Sequence, residues 1–256
     1  MPKIIILIFT MLSLLNAQFP EWFLSPSKYD GYIIGFSRGE TLPLIDAQIM
    51  SCWYDKVILK GDLYYYTDSK NEGIVSDYYW WYDSKCVEKV KDNLVRLDHF
   101  TTNIFLGSKV ALFSKEKELL EPIPFQILNI DDIPQPDWIN KGNWENEGFY
   151  YSVGMFTSLF ERNDGWKTAE ERAFLNMVSS IISDVKSISY YEQKDRQRLV
   201  DEYEEVIKNS FHCEIKNATV MERWFHKENN LFYVLVRAAK ENLLYPEINK
   251  LNGSEK

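Results

Sequence analysis

Two short patterns recur in this sequence and divide most of the chain into two nearly equal parts. Pro20-Glu21-Trp22 precedes the segment 31–36, GYIIGF, and Pro136-Asp137-Trp138 precedes the segment 149–155, FYYSVGM. Each block has a proline, an acid, a tryptophan, a polar loop and an aromatic strand with an aliphatic-glycine-apolar ending. Because self-similarity at a fixed offset indicates repeated structural units, the sequence predicts two diverged copies of one small module.

Prolines cluster between the two blocks, at Pro122, Pro124, Pro134 and Pro136. Such clusters are typical of connectors. We therefore predict a first α+β module over residues 18–120, a proline-rich connector over 121–135, a second α+β module over 136–245 and a C-terminal tail over 246–256.

The strongest periodic pattern comes after the second aromatic strand. Apolar residues recur at helical spacing over residues 174–188, which predicts a long helix with one apolar stripe that packs on a sheet. Thr168 and Glu171 have the spacing of a capping box and predict that the helix begins there. Val206 and Ile207 resume the helical pattern.

Strands are expected after this helix. The segment 214–225 and the segment 231–238, LFYVLVRA, are separated by the turn signal Asn229-Asn230. The first half repeats this order with strands over 94–105 and 110–113. Each module is thus predicted as β-α-β-β, a small antiparallel sheet with a long helix on one face.

The helix of the first module has a weaker pattern than that of the second. Leu42, Ile45, Ile49, Cys52 and Trp53 form a short apolar stripe. The aromatic segments beyond it, within residues 60–85, fit no single element, and their placement stays open.

The N-terminus has the order of a secretory signal. Lys3 precedes the apolar run Ile4 to Leu15, and Ala17 offers a small residue before a cut at Ala17–Gln18. Residues 1–17 are therefore predicted to be a signal peptide, with an uncleaved anchor as the alternative. Because no cysteine lies at the cut, we expect an exported protein without a lipid anchor, periplasmic or associated with the outer membrane. No later segment is apolar for long enough to predict a transmembrane helix.

Charge and cysteine content limit which classes of partner and which redox compartment are compatible with this sequence. The net charge is −9 with no run of Lys and Arg, which disfavours nucleic acid. Of the three cysteines, Cys52 and Cys86 can pair in an oxidising compartment. Buried free thiols are the alternative, and Cys213 is left over in either case.

We find no pattern that carries chemistry. His99, His212 and His226 fit no zinc spacing, and the chain has no phosphate-binding or dinucleotide-binding glycine loop. No catalytic, cofactor-binding or metal-binding residue is therefore predicted. The charged run Glu170-Glu171-Arg172 is expected on a solvated helix face.

An aromatic cluster is the one candidate ligand or partner surface, and it consists of Tyr78, Tyr79, Trp80, Trp81 and Tyr82. Exposed rings can stack on sugars or contact a protein partner. The alternative is that these rings fill the core or a module interface.

The second half resembles a known family in a small set of positions: Pro136, Trp138, Tyr151, Val153-Gly154, Ala169, Ala173, Trp224 and the run 233–236, YVLV. These look like the Lpp-twenty-type lipoprotein family of bacterial envelopes and the similar N-terminal module of FlgT-type flagellar ring proteins. The likeness covers residues 136–240 and is weaker in the first half. It implies a sheet packed on a long helix, an envelope location and a structural or assembly role.

These observations together predict a non-enzymatic envelope protein that acts through protein–protein contacts, with a homo-oligomer as one form of such contact. A module that binds peptidoglycan or another polysaccharide is the first alternative, and an unrecognised hydrolase is the second.

Overall fold

The computed structural model describes residues 18–29, 31–67, 72–91, 93–103, 108–115, 126–158, 162–184 and 205–244. Helices and antiparallel sheets mix along these segments, which confirms the α+β class. The expected signal peptide over 1–17, residues 121–125 of the connector and the tail over 246–256 lie outside them. No helix in the described segments is both long and apolar enough to cross a bilayer.

The first half contains, in chain order, β1 (Gln18–Pro20), α1 (Glu21–Leu24), a 3-10 turn (Pro26–Lys28), β2 (Tyr32–Phe36), α2 (Pro43–Asp55), β3 (Lys56–Thr67), β4 (Glu72–Trp81), α3 (Ser84–Val90), β5 (Val95–Asn103) and β6 (Ser108–Ser114). The described residues within 60–85, which the sequence left unplaced, thus lie mainly in the strands β3 and β4 and at the start of α3.

The second half contains β7 (Ile127–Asn129), 3-10 turns (Ile130–Asp132 and Asp137–Asn140), β8 (Asn143–Asn146), β9 (Phe149–Thr157), α4 (Arg162–Asp184), β10 (Glu205–Lys216), β11 (Thr219–His226), β12 (Leu231–Ala239), a 3-10 turn (Lys240–Asn242) and β13 (Leu243–Leu244). The predicted turn at Asn229-Asn230 joins β11 to β12.

Two of the sheets share one order of connection. The first is β2-β6-β5 and the second is β11-β12-β9-β8. In both, the strand before the helix pairs with the strand that comes last along the chain in that sheet, and this strand in turn pairs with the one preceding it. A short ladder of β1 with β7 brings the end of the predicted connector back to the N-terminal strand.

A further sheet, β13-β10-β3-β4, combines strands from both halves. Its centre is the antiparallel ladder in which Lys56–Thr67 pairs with Glu205–Lys216 along the whole length of both strands. Val206 and Ile207 therefore lie in β10, and the predicted helical continuation there is wrong. Pairing with β3, which is remote in sequence, determines their conformation.

A glycine in each of the two similar sheets lies directly under a helix. A Cβ atom on Gly35 in β2 would lie 1.9 Å from the carbonyl oxygen of Pro43, at the start of α2. A Cβ atom on Gly154 in β9 would lie 1.8 Å from the carbonyl oxygen of Ala169 in α4. These glycines allow helix and strand to approach more closely than any side chain would permit.

We expect Gly154→Val to lower the free energy of unfolding by about 3 kcal/mol, because the added atoms meet helix backbone rather than a flexible side chain. Urea denaturation measures the change. Met155→Val is the matched control, since Met155 is the next residue on the exposed side of β9, and a change within about 0.5 kcal/mol is expected there. Equal stability of Gly154→Val and wild type would contradict the close approach.

The core is continuous between the halves. The ring centroid of Phe23 in α1 lies 5.2 Å from that of Trp166 in α4 and 5.9 Å from that of Phe36 in β2. Trp166 also packs edge-on against Phe232 of β12, at 5.0 Å. Such edge-to-face aromatic pairs add to the free energy of burying the rings.

Helix α4 buries the predicted stripe at Phe174, Met177, Val178 and Ile181. The predicted start at Thr168 is wrong, because α4 begins at Arg162. Its first turns are held by burial of Asn163, Trp166 and Lys167, so no cap at Thr168 is needed.

The stripe predicted for α2 is partly wrong. Cys52 and Trp53 are buried as predicted, whereas Leu42 and Ile45 are exposed, and the helix also buries Ala47 and Met50. Asp46 lies on the buried side of the helix as well and accepts a hydrogen bond of 2.8 Å from the backbone N–H of Phe36.

Candidate functional site

The sheet shared by the halves separates core from solvent by strict alternation. Val57, Leu59, Cys213 and Ile215 are buried, whereas their sequence neighbours point to the other side, as expected for a sheet with one covered face. We call this outward surface the aromatic sheet face, and its side chains are Lys56, Ile58, Lys60, Tyr79, Trp81, His212 and Glu214.

The register of the ladders places these side chains in rows across the sheet. Tyr79 is opposite Lys60, which is opposite His212. Trp81 is opposite Ile58, which is opposite Glu214. Side chains that are directly opposite on one face of antiparallel strands lie close enough to act together.

The strand β4 divides the predicted aromatic cluster between two environments. Tyr79 is 55% exposed, Trp81 is 57% exposed and Tyr82, just after the strand, is 36% exposed. Trp80 points inward, with its ring centroid 5.1 Å from that of Trp53. The backbone of Tyr78 pairs with Gly61, but its side chain lies outside the described residues.

Charged groups surround the two exposed rings. Lys60 Nζ lies 5.9 Å from the centroid of the Trp81 ring. Glu214 forms a salt bridge of 2.8 Å with Lys56, and its second oxygen lies 3.8 Å from His212 Nε2. A flat surface with exposed rings and both signs of charge can stack on a ligand and form hydrogen bonds at its margin.

The outer edge of β4 adds backbone groups to this surface. It is the last strand of its sheet, and no strand of the described segments pairs with its outer side. An edge strand presents unpaired N–H and C=O groups that can bind an extended segment from another chain.

A buried charge network lies elsewhere in the fold, where the two halves meet. Glu170 of α4 is fully buried, and its Oε2 accepts a hydrogen bond of 3.0 Å from Arg223 Nη2 of β11. Its Oε1 accepts from the hydroxyl of Tyr54 in α2 and lies 3.7 Å from Lys167 Nζ. Lys167 Nζ is in turn 4.0 Å from Asp46 of α2. The network therefore connects α2 to both α4 and β11.

The pKa values in this network are set by burial and charge. Burial opposes ionisation of Glu170, but the charges of Lys167 and Arg223 and two hydrogen bonds outweigh it and lower its pKa. Burial, followed by the negative charge of Glu170, raises the pKa of Tyr54 well above its usual range. At neutral pH Glu170 is thus ionised and Tyr54 is protonated.

The expectation that Glu170 faces solvent is wrong. It lies four residues before Phe174 and therefore on the apolar stripe of α4, which was the available signal. Arg223 carried no comparable signal, because the alternation of β11 is interrupted by an irregularity between Val220 and Glu222.

A depression of about 250 Å³ opens beside this network. Tyr54 and Arg223 form part of its lining together with Asp55 and Lys115, and the last two lie 3.4 Å apart as an ion pair. Because charges of both signs line it, the depression favours neither anions nor cations. We therefore place the candidate site on the aromatic sheet face.

The three cysteines divide into a bonded pair and a buried free thiol. Cys52 and Cys86 form a disulfide, the pairing that the sequence left open. Cys213 is free, and burial raises the pKa of its thiol to about 12. Within the described ranges no group of three His, Cys, Asp or Glu side chains is placed to hold a metal ion.

No family model, curated protein or solved structure matches this chain.

Proposed function

We propose that the two halves are diverged copies of one β-α-β-β module. The common order of connection in the sheets β2-β6-β5 and β9-β12-β11 supports this. So does the placement of Gly35 and Gly154, each of which lies under two helix residues four positions apart, Pro43 and Ala47 for the first and Ala169 and Ala173 for the second. The copies differ after the helix, since the first has the hairpin β3–β4 and α3 before its last two strands.

We propose further that the chain is an exported envelope protein that binds a partner protein through the aromatic sheet face and the adjoining edge of β4. The observation that carries this is the exposure of Tyr79 and Trp81 on one side of a strand whose outer edge has no partner in the described segments. The order of charge and apolar residues at the N-terminus and the likeness to an envelope family support the location.

Tyr79 and Trp81 are suited to a contact role by their residue types and by their place in the strand. Tyr and Trp are enriched among the residues that dominate binding energy at protein interfaces. Trp80 between them contributes instead to the core, against Trp53 and Phe174. The two outward rings therefore bear little of the stability of the fold, which leaves them available for contact.

A photo-crosslinking experiment in intact cells tests the proposal. A photo-reactive amino acid at position 212, on the same face, is expected to give a discrete covalent product with another protein or with a second copy of the chain. Combining Tyr79→Ala with Trp81→Ala in that background is expected to lower the yield about tenfold.

Met155→Ala is the control, because Met155 is an exposed apolar side chain on a different sheet. It should leave the yield unchanged. Absence of any product in cells that contain the folded protein, or an equal yield from the double variant, would overturn the proposal.

A polysaccharide ligand is the second candidate. It is favoured by the pair of exposed rings on a flat face with Lys60, His212 and Glu214 beside them, since aromatic faces can stack on sugars and polar groups can bind hydroxyls. Retention of the protein on insoluble peptidoglycan, lost with Trp81→Ala and kept with Met155→Ala, would support it. If wild type is not retained, this candidate is excluded.

A further inference from the structure

The end of β4 that carries the aromatic rings is tied to the core at two adjacent positions of α2. Trp53 of α2 packs against Trp80, and its neighbour Cys52 forms the disulfide with Cys86. Cys86 lies in α3, which begins three residues after the last residue of β4. The first connection is therefore packing between aromatic rings, and the second is a covalent bond.

Helix α3 has little else to hold it in place. None of its seven residues is buried, so apolar burial contributes little to its position. It packs against α2, and the side chain of Gln48 in α2 donates a hydrogen bond of 2.9 Å to the carbonyl of Lys91, just past its end. The disulfide is thus the principal link between α3 and the core.

We propose that the Cys52–Cys86 disulfide is a redox-sensitive lock on the aromatic sheet face, and that its reduction releases α3 and the end of β4. The consequence for binding rests on the function proposed above. With the lock closed, Tyr79 and Trp81 are presented on a fixed surface. With the lock open, ordering that surface again on binding opposes association, so affinity falls.

The two sulfurs differ in access. Cys52 is buried, whereas Cys86 is partly exposed. A thiolate of a dithiol reductant attacks Cys86 Sγ, the S–S bond breaks, and Cys52 leaves as a thiolate that takes up a proton. The second thiol of the reductant then displaces Cys86, so the dithiol is oxidised to a disulfide by two electrons and the protein gains two thiols.

Hydrogen–deuterium exchange of the full chain, with and without dithiothreitol, tests the release. After reduction, the backbone amides of residues 79–91 are expected to exchange about tenfold faster or more. Over the same labelling times the amides of β6 and β12 should stay protected. Cys86→Ser should reproduce the reduced pattern without dithiothreitol, and Cys213→Ala, which keeps the disulfide, should reproduce the oxidised one.

Either of two results would overturn the lock. One is unchanged exchange of residues 79–91 after reduction and in Cys86→Ser. The other is complete exchange of β6 and β12 within the labelling times in which residues 79–91 exchange, which would mean that reduction opens the whole fold rather than this face. Because these measurements use the isolated protein, they do not depend on a partner.

The effect on binding is measured by repeating the crosslinking from position 212 with Cys86→Ser, and a fall in yield of about fivefold or more is expected. An equal yield from Cys86→Ser would overturn control by the lock while leaving the proposed function intact. Failure of the wild-type crosslink would instead count against the proposed function alone, because release of α3 and the end of β4 is tested separately by hydrogen–deuterium exchange.

Discussion

Replacing Arg223 with methionine is expected to lower the free energy of unfolding by about 3–5 kcal/mol, because it leaves a buried carboxylate without its main partner. Glu170 is fully buried and accepts a hydrogen bond from Arg223 Nη2, and Arg223 Nη1 donates to the carbonyl of Phe23. Both acceptors lose a charged donor in the variant. Urea denaturation at neutral pH measures the effect.

The second substitution that completes this test removes the charge left behind. Glu170→Gln in the Arg223→Met background is expected to recover part of the loss, since a neutral amide costs less to bury than a carboxylate. Lys227→Met is the matched control, because it breaks an exposed ion pair with Asp131 and should change stability by less than about 1 kcal/mol. Equal effects of Arg223→Met and Lys227→Met would contradict the burial of the network.

The same network has a defined dependence on pH. The pKa of Glu170 is lower in the folded chain than the ordinary glutamate value of 4.5. Its ionisation therefore contributes stability that is present above pH 4.5 and is lost as the pH falls through the folded-state pKa. In Arg223→Met the carboxylate has lost its closest cation, so we expect the deficit relative to wild type to shrink in the same acidic range.

Sequence patterns predicted the helices and strands of this fold better than they predicted which strands pair with each other. The helix α4 and the strand β12 are indicated by apolar spacing and a turn signal, whereas the predicted strand 214–225 is divided between the end of β10 and β11. No local sequence pattern predicts the pairing of β3 with β10, because the two strands come from opposite halves of the chain. Contacts of that sequence separation depend on the packing of both halves and not on local propensity.

The candidate site was only partly predictable, because it too depends on strand pairing between distant parts of the chain. The aromatic run from Tyr78 to Tyr82 is evident in the sequence. Its division into outward Tyr79 and Trp81 and inward Trp80 follows only from the strand conformation of β4. Once β4 pairs with β3, the period of two determines which rings are exposed. Lys60 and His212 join the surface only through the register of the ladders.

Opening the disulfide is the other change with a large expected effect on global stability. Cys52 and Cys86 are separated by 34 positions, and the entropy of closing a loop of this length corresponds to about 3–4 kcal/mol. We expect dithiothreitol to lower the free energy of unfolding of the wild type by this amount in urea denaturation. The double variant Cys52→Ser/Cys86→Ser should start at the lower value and show no response to dithiothreitol, because the remaining Cys213 is a free thiol.

A wild-type unfolding midpoint that is the same with and without reductant would show that the unfolded chain is not restricted by the cross-link. A large shift, together with exchange confined to residues 79–91 in the native state, would separate the two effects of one bond: it limits the unfolded ensemble, and it holds the aromatic sheet face in the folded chain.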